Sequence, residues 1–480
     1  MNNTIENLFN QFIDFEQKHN LFEKEIRGFT FWSHIRSDVY KKISQENGFM
    51  SLISNDNVST LNKISFKNLW LGIIKSPLFI FKRSEYLILN SSRRSLINGK
   101  YKCIYTDYLN DELKGKAQNI EMRNDNDYLI PTYSKNVKYL FTFDLIGVAI
   151  VKLLRNRFRF SNIEQQKVRE ISLLFEKEFQ IVSSYFYNQI LESYLYYLSR
   201  KPFLNLMLNR IKPKVLFLTA SYPIDKQLLI FLAQKKGIEV IELQHGVIGT
   251  MNIGYSIKLK KKIYGIPDKL LLYGDYWRRG INLPIEDKNI LVSGFNYLDN
   301  SIKVNTEPVK KSNRKTILIL SQWTVTKQII ELALQLSYSL DEMKYKVLIR
   351  FHPAEYKNWK MNYPQLKNSN VVINNNLDNT LYDNFLVSDY VIGSYTTALY
   401  EAIAFKKKVF VFAINELHTH VADLYKNNYA IKIESANDFM DLLKNNITLS
   451  DPDTLKEEMW FPSKEFCFDD IFNFESTRNN

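Results

Sequence analysis

The sequence predicts an α/β protein with two Rossmann-like, doubly wound domains that face a central cleft and follow a helical amino-terminal segment. Short apolar runs alternate with amphipathic stretches, which is typical of strands and helices in a parallel sheet. This pattern occurs twice, and between the two series apolar residues give way to lysine, asparagine, Glu307 and Pro308, as in a linker. With 480 residues, 45% of them hydrophobic, the chain can bury two cores.

The first series of elements lies in a predicted domain spanning residues 81–300, after a segment of mixed polarity at 1–80 that we expect to be helical. An apolar run at 86–89 predicts its first strand. The clearest later elements are strands at 215–218, 238–243, 269–273 and 290–292, with a helix at 225–236. A helix between two strands of this kind indicates a parallel crossover.

The second series follows the linker at 301–314 and forms a predicted domain at 315–460, with a tail at 461–480. Apolar runs predict strands at 316–320, 346–351, 371–373, 390–392 and 409–412. Amphipathic stretches predict helices at 327–340, 380–387, 397–405 and 437–444. Two doubly wound domains leave a cleft where the strand ends of both meet a shared substrate.

The charge and the cysteine content of the chain limit which partners and which cellular compartment we expect. The formal net charge of +13 favours a phosphate-rich partner, but the lysines are scattered and no nucleic-acid-binding motif is present, so we expect no nucleic acid. The two cysteines, Cys103 and Cys467, have no metal-ligand spacing, which suits a reducing compartment. The polar start lacks the features of a signal peptide, and we expect a cytoplasmic protein.

Two apolar stretches, at 69–81 and 139–154, are interrupted by charges or proline before reaching the about 20 apolar residues of a spanning helix. Both have basic neighbours. Lys82 and Arg83 follow the first stretch, and the second is followed by a segment at 155–160 in which arginines alternate with Phe158 and Phe160. This mixture predicts contact with an anionic bilayer surface, on the inner face of the plasma membrane.

The first of three polar clusters at strand ends is Gln244, His245 and Gly246, directly after the predicted strand at 238–243. The carboxyl ends of parallel strands border the ligand crevice, so the His245 ring is expected there. A histidine of near-neutral pKa can take a proton from an attacking sugar hydroxyl. It can equally donate a hydrogen bond to a donor phosphate or serve only as a turn residue, and these alternatives stay open.

The second cluster, Arg350 and His352, lies where Pro353 stops the strand at 346–351. His352 is expected on the face opposite Phe351, because successive side chains of a strand alternate. Both cationic groups can donate to phosphate oxygens. The alternative is that Arg350 pairs with a surface carboxylate and His352 caps a turn.

The third cluster follows the strand at 390–392, where Gly393 permits a tight turn into the next helix. Ser394, Thr396 and Thr397 place hydroxyls at the helix start, which binds anions through free N–H groups and the helix dipole. Plain N-capping by a threonine is the alternative. Glu401, one turn further, is expected either to accept from ribose hydroxyls or to be an ordinary exposed helix residue.

Other features are weaker or exclude functions. His418 and His420 are expected to be a solvated pair, and the segment at 274–279 is a candidate for facing an acceptor. The chain has no Gly-x-Gly-x-x-Gly after a strand, no Walker loop, no zinc-ligand spacing and no Gly-x-Ser-x-Gly elbow. The sequence therefore disfavours an oxidoreductase, an NTPase, a zinc protein or a serine hydrolase.

These clusters resemble those of GT-B glycosyltransferases that build bacterial surface polysaccharides, over about residues 215 to 415. The matching motifs are Gln244-His245-Gly246, Arg350-x-His352-Pro353, and Ser388-Asp389-Tyr390 through Ser394-Tyr395-Thr396-Thr397 to Glu401. Similar motifs occur in sialyltransferases, in capsule Kdo-transferases and in teichoic-acid glycerophosphotransferases. The resemblance implies metal-independent transfer from a nucleotide-activated donor, without a cofactor, with the donor in the second domain and the acceptor in the first.

The resemblance leads us to expect an inverting glycosyltransferase of capsule or lipopolysaccharide synthesis, with a CMP-sugar as the favoured donor and a growing or lipid-linked glycan as the acceptor. His245 is the expected catalytic residue. The residues expected to bind the donor are Arg350, His352, Ser394, Thr396, Thr397 and Glu401. The alternatives are a polyol-phosphate transferase of teichoic-acid type, an isomerase like UDP-sugar 2-epimerase, and a non-catalytic glycan-assembly protein.

Overall fold

The computed structural model describes residues 4–49, 66–91, 93–121, 128–259, 261–304, 313–322, 324–352, 355–356, 358–374, 380–445, 449, 456 and 458–473. Most of the predicted linker, at 305–312, lies outside the described residues, and so does Pro353 of the His-Pro motif. All structural statements below concern the described part of the chain.

A wholly parallel sheet of seven strands forms the first domain. The strands of this half, which include a separate antiparallel β2–β3 hairpin, are β1 (Tyr86–Asn90), β2 (Arg94–Ile97), β3 (Lys100–Cys103), β4 (Ala117–Glu121), β5 (Lys138–Tyr139), β6 (Val215–Thr219), β7 (Glu239–Leu243), β8 (Lys269–Leu272) and β9 (Ile290–Val292). The sheet order is β5-β4-β1-β6-β7-β8-β9. The order therefore reverses between β1 and β6, as at the switch point of a doubly wound sheet.

The second domain has a wholly parallel sheet of six strands. They are β10 (Lys315–Leu320), β11 (Tyr345–Arg350), β12 (Val372–Ile373), β13 (Tyr390–Gly393), β14 (Lys408–Phe412) and β15 (Ile431–Ile433). The order β12-β11-β10-β13-β14-β15 is that of a Rossmann domain, with its switch point between β10 and β13. The two sheets confirm the predicted fold class: two Rossmann-like domains in a GT-B-like architecture with a helical amino terminus.

Alternating burial explains why both sheets carry helices on both faces. In β10, Ile317 and Ile319 belong to one apolar cluster, whereas Leu318 and Leu320 belong to another on the opposite face. In the first sheet, Ile88 likewise lies in a different cluster from its neighbours in β1. Since both faces are buried, the strands read as continuous apolar runs, which is why the sequence predicted them.

The helices cover the sheets and fill the space before β1 and between β5 and β6. They are α1 (Ile5–Lys18), α2 (Trp32–Glu46), α3 (Phe66–Ile74), α4 (Tyr108–Glu112), α5 (Phe141–Arg157), α6 (Asn162–Phe179), α7 (Ser183–Ile211), α8 (Ile224–Gln234), α9 (Asn296–Val304), α10 (Thr326–Ser339), α11 (Trp359–Asn362), α12 (Leu381–Val387), α13 (Thr397–Ala404), α14 (Ala422–Lys426), α15 (Ala436–Lys444) and α16 (Asp470–Asn473). Together, these bounds confirm the helices that the sequence predicted in both domains.

The helical amino-terminal segment packs on the first domain. Phe15 of α1 contacts Phe175 of α6, with 4.6 Å between ring centroids. A buried ion pair joins Arg36 of α2 to Glu16 of α1, and Arg36 Nη2 also donates to the carbonyl of Ser256 at 2.5 Å. The segment therefore braces the loop after β7.

The carboxyl-terminal residues 458–473 return from the second domain to the first. Trp460 stacks on Tyr273 at 5.3 Å between centroids, and the Phe461 N–H donates to the Tyr273 carbonyl at 2.8 Å. Further on, Ile471 is fully buried against the first sheet, and Lys269 Nζ donates to its carbonyl at 2.7 Å. The predicted tail is thus, in its described part, packed onto the first domain.

The two apolar stretches that predicted membrane contact differ in the structure. No helix of the described residues is both long enough and apolar enough to cross a bilayer. The stretch at 139–154 lies mainly in α5, and Phe160 beyond it is buried. Its aromatic residues therefore serve the core, whereas several side chains of the stretch at 69–81 are exposed.

Candidate functional site

The candidate site lies where the carboxyl ends of the two sheets meet. His245 follows β7 of the first sheet, Arg350 ends β11, and Ser394 follows β13 beside the switch point of the second sheet. A direct contact joins the two domains here, because the Val247 N–H donates to Thr397 Oγ1 at 3.1 Å. The structure therefore brings the loop after β7 to the start of α13.

His245 is half-buried and contacted on both ring nitrogens. Its Nε2 lies 3.2 Å from the Tyr222 hydroxyl, and its Nδ1 lies 3.4 Å from the Tyr255 hydroxyl. Its backbone carbonyl accepts from the Tyr105 hydroxyl at 2.8 Å. His245 is thus held in place by three tyrosines, which rules out a simple solvated turn residue.

Glu242 is linked to His245 through Tyr255. The Tyr255 hydroxyl donates to Glu242 Oε1 at 2.6 Å. Because a hydroxyl has one proton to give, the Tyr255 oxygen accepts from Nδ1–H of His245 when Glu242 is ionised. Nε2 is then unprotonated and accepts from Tyr222. This arrangement leaves Nε2 as the nitrogen that can take up a proton.

Burial shifts the pKa values of His245 and of the groups around it. Loss of hydration lowers the pKa of His245 to about 3, and the nearby cations Lys226 and Arg93 act in the same direction. Burial also raises the pKa of Glu242 and raises that of Tyr222 to about 12. Lys226 is buried and donates to the Thr219 carbonyl at 2.5 Å, and burial lowers its pKa. His245 is therefore neutral at physiological pH.

The residues on either side of His245 shape its turn. Gln244 is buried, and its amide donates to the Gly246 carbonyl at 2.8 Å while its oxygen accepts from the Tyr273 N–H at 2.9 Å. A Cβ at Gly246 would lie 3.2 Å from Thr397 Oγ1. Gln244 thus fixes the loop, and the glycine allows the second domain to approach it closely.

Arg350 and His352 lie at the end of β11 as the sequence predicted. Arg350 is half-buried, and its Nη1 donates to Asn374 Oδ1 at 2.7 Å. His352 is exposed, whereas Phe351 is buried and stacks on Tyr363, so the predicted alternation of faces is confirmed. The His352 N–H donates to Ser321 Oγ at 3.0 Å, which ties this turn to the end of β10.

The hydroxyls before α13 have three different environments. Thr396 is the N-cap, and its Oγ1 accepts from the Ala398 N–H at 3.3 Å. Thr397 accepts from Val247 of the first domain. Ser394 is fully buried, and its hydroxyl has no hydrogen-bond partner among the described residues. The N-capping alternative is therefore realised by Thr396, and an anion site at the same helix start stays a prediction.

Glu401 is buried, so the alternative of an exposed helix glutamate is wrong. The carboxylate lies among aromatic side chains of both domains, and its charge contributes to the raised pKa values of Tyr382 and Tyr105, which burial raises most. Arg93 lies across from it and donates to the Tyr105 hydroxyl at 2.8 Å. Glu401 Oε2 has no hydrogen-bond partner among the described residues. Its predicted contact with ribose stays a prediction.

The weaker candidates from the sequence each make contacts within the structure. In the segment at 274–279, Trp277 is buried and Tyr276 donates a hydrogen bond to Asp423 of the second domain. This segment joins the two domains. His418 Nδ1 lies 2.9 Å from the Asn415 carbonyl, and His420 lies 6.2 Å from Tyr395 between ring centroids. Burial lowers the pKa of His420 to about 4, so it is not the solvated residue that we expected.

Sequence reasoning missed the residues that support His245. Tyr222, Tyr255, Glu242 and Arg93 come from four different segments, and only the fold brings them together. One signal was available for Tyr222, which follows the strand at 215–218 in a polar turn. Within the described residues, no group of three or more histidine, cysteine or acidic side chains is arranged to hold a metal ion.

No family model and no curated protein matches the chain. Solved structures similar to it include the UDP-GlcNAc 2-epimerase of Methanocaldococcus jannaschii in complex with UDP-GlcNAc and UDP (TM-score 0.41, 14% identity, 57% of this chain and 78% of that one). Two others are the wall teichoic acid polymerase TagF (TM-score 0.40, 13%, 89% and 91%) and the spinosyn rhamnosyltransferase SpnG complexed with thymidine diphosphate (0.43, 9%, 79% and 96%). At these TM-scores, the similarity adds nothing to the fold that the strand orders establish.

Proposed function

We propose that the chain is an inverting glycosyltransferase that moves a sugar from a nucleotide-activated donor to a hydroxyl of a growing or lipid-linked surface glycan. The observation that carries the proposal is the state of His245. Its ring lies between the hydroxyls of Tyr222 and Tyr255, Tyr255 links it to Glu242, and it belongs to the loop that contacts the start of α13. A general base beside an anion-binding helix start is what hydroxyl attack with a phosphate leaving group requires.

In the proposed step, the acceptor oxygen forms a bond to the anomeric carbon while the bond from that carbon to the donor phosphate oxygen breaks. The hydroxyl proton passes to His245 Nε2, and the electron pair of the broken bond leaves with the nucleotide. Negative charge grows on the leaving phosphate. Arg350, His352 and the N–H groups at the start of α13 stabilise that charge, with hydroxyls from Ser394, Thr396 and Thr397 as further donors.

Among the residues proposed to bind the donor, Glu401 is the one whose observed burial bears most on its proposed role. A carboxylate buried beside Tyr382 and facing Arg93 is well placed to fix the wall of the cleft. We retain ribose binding as its proposed role, reached when the nucleotide displaces the tyrosine. If a Glu401→Gln variant binds nucleotide as tightly as the parent, Glu401 is not a donor-binding residue.

The proposed acceptor is a glycan of capsule or lipopolysaccharide, and the proposed location is the cytoplasmic face of the membrane. The proposed reaction requires neither a metal ion nor nucleic acid. A CMP-sugar is the proposed donor. A polyol-phosphate transferase would use the same base and the same anion site, but its nucleophile would attack phosphorus. The two reactions are distinguished by the product, since only the second places a phosphodiester in the polymer.

The first test is a thermal-shift measurement with CMP, CDP, UDP, GDP and CMP-sugars, because a ligand that binds the folded state raises its apparent stability. Selective stabilisation by CMP supports a CMP-sugar donor, and selectivity for CDP points to polyol-phosphate transfer. Turnover is then measured with the selected donor, glycan acceptors and EDTA. Conversion of UDP-N-acetylglucosamine without an acceptor would overturn the transferase proposal in favour of an isomerase, and nucleotide binding without any turnover would favour an assembly protein.

A further inference from the structure

A patch of exposed apolar side chains lies on α3 and the chain that follows it. Trp70, Ile73 and Ile74 share one face of α3, at the i, i+3, i+4 spacing, and Trp70 is 57% exposed. Phe79 and Phe81 continue the patch, and Phe81 is 81% exposed. Large apolar side chains at this density on a protein surface indicate an interaction site.

The patch is held rigidly by the domain beneath it. On its inner face, Gly72 packs against Phe141, and its carbonyl accepts from Thr142 Oγ1 at 2.6 Å. At its other end, Arg210 of α7 donates to the Leu78 carbonyl and lies over the Phe81 ring, with 5.6 Å to the centroid. The exposed side chains therefore project from a segment that is packed against the domain.

Cationic side chains surround the patch. Lys82 and Arg83 follow Phe81 and are exposed, and Arg210 lies over the Phe81 ring. The sequence contains no acidic residue from 66 to 84. Aromatic and aliphatic side chains beside lysine and arginine match the headgroup layer of a bilayer, where rings enter the interface and cations meet lipid phosphates.

The other stretch with this composition has a different structure. Phe158 lies under Arg27, and Phe160 is buried in the core. Arg155 pairs with Glu192 at 2.7 Å, and Arg159 donates to the Phe158 carbonyl at 2.7 Å. Both rings, Arg155 and Arg159 are therefore engaged within the domain, and composition alone did not separate the two stretches.

We propose that the basic apolar patch, consisting of Trp70, Ile73, Ile74, Phe79, Phe81, Lys82, Arg83 and Arg210, docks the first domain on an anionic bilayer surface. The positive charge of the patch favours an anionic lipid surface over a second copy of this chain, because two such patches would repel each other. The inference does not depend on the proposed transfer reaction.

The test is co-sedimentation of the full chain with phosphatidylcholine vesicles that contain or lack phosphatidylglycerol. We expect binding only to the anionic vesicles, and a loss that grows with salt concentration. The double variant Lys82→Glu and Arg83→Glu should bind about tenfold or more weakly, and Phe81→Ser should bind about tenfold more weakly. The matched controls on the second domain are Lys360→Glu with Lys367→Glu, and Met343→Ser, whose side chain is as exposed as that of Phe81, at 81%.

A spectroscopic readout places the patch at the surface directly. Brominated lipids in the vesicles should quench the fluorescence of Trp70, and Trp70→Phe should remove most of this quenching, because Trp32, Trp277 and Trp460 are buried and Trp323 and Trp359 belong to the second domain. Equal binding of parent and patch variants, or no binding to anionic vesicles, would overturn the proposal. Self-association of the parent that Phe81→Ser abolishes, without vesicle binding, would assign the patch to a second copy instead. Turnover on a soluble acceptor should be unchanged in all patch variants, which separates this test from that of the transfer reaction.

Discussion

The two walls of the cleft are organised differently. On the wall of the first domain, His245 is held by Tyr222, Tyr255 and Tyr105, and Tyr255 links it to the buried Glu242. On the opposite wall, His352 is exposed and the buried Ser394 hydroxyl has no partner in the described part of the chain. The residue proposed for proton transfer is thus oriented by its own domain, whereas the wall proposed for the donor exposes a histidine that a ligand can reach.

This difference predicts that substitutions on the two walls affect different kinetic constants. A group that acts only in the transition state changes kcat, whereas a group that contacts the bound donor changes KM or both. The variants below test that division, beginning with the largest expected effect.

Replacing the proposed base should cause the largest loss. We expect His245→Ala to lower kcat by about 10³-fold, within the range that general-base catalysis supplies, with nucleotide binding retained. Thermal shifts with the donor nucleotide check the second point. His418→Ala, a half-buried histidine of the second domain, is the control. A His245→Ala enzyme with near-parental kcat would show that His245 is not the base.

On the other wall, His352→Ala should weaken donor binding and also lower kcat, because His352 is proposed to contact a phosphate whose charge grows during the step. We expect a loss in kcat/KM of about 10²-fold, the value of a strong charge-assisted hydrogen bond. Steady-state kinetics and nucleotide titration check this. Lys360→Ala, which removes a nearby cation, should leave both unchanged. Full activity of His352→Ala would contradict the assignment of this wall to the donor.

The pH profile distinguishes a buried base from a solvated one. The pKa of His245 is lowered to about 3, so the ring binds a proton only far below neutrality. We therefore expect kcat/KM to stay level as the pH falls from 7 to 5. A histidine with an ordinary pKa near 6.5 would lose about thirtyfold over that range. A steep decline near pH 6.5 would indicate that His245 is hydrated in the active state.

The hydroxyl of Tyr255 should have a smaller effect than His245 itself. Tyr255→Phe removes the link between Glu242 and Nδ1, so the tautomer with an unprotonated Nε2 loses its preference. We expect kcat to fall about tenfold with KM unchanged. Tyr139→Phe, which removes a buried hydroxyl without a partner in the described residues, is the matched control. Unchanged kinetics and pH profile in Tyr255→Phe would reduce Tyr255 to a packing residue.

The contact that joins the walls should affect stability rather than chemistry. Asp423 accepts hydrogen bonds from Tyr276 of the first domain and from Tyr400 at 2.8 Å. Burial raises its pKa to about 6 from an ordinary value of 3.8. The protonated form is thus favoured in the folded state, and this contribution is complete below pH 3.8 and is lost as the pH rises through 6. Relative to Asp423→Asn, the parent should lose on the order of 2 kcal/mol between pH 4 and pH 7, measured by chemical unfolding. A difference independent of pH would contradict the raised pKa.

Sequence patterns predicted most strands of the two parallel sheets and the three polar clusters at strand ends, because buried parallel strands appear as apolar runs and their ends as polar breaks. They missed the β2–β3 hairpin, although Asn98-Gly99 between two strands is the strongest short-range hairpin signal. They also missed the tyrosines around His245. Tyr222 and Tyr255 lie in loops on either side of β7, and only the sheet order brings their hydroxyls to one ring. Burial of Glu401 depends in the same way on the partner domain.

The return of residues 458–473 to the first domain has a mechanical consequence. The chain passes from one domain to the other after α9, and passes back between α15 and Trp460. We therefore expect any opening of the cleft to leave residues 458–473 on the first domain, because Trp460, Phe461 and Ile471 are all held there.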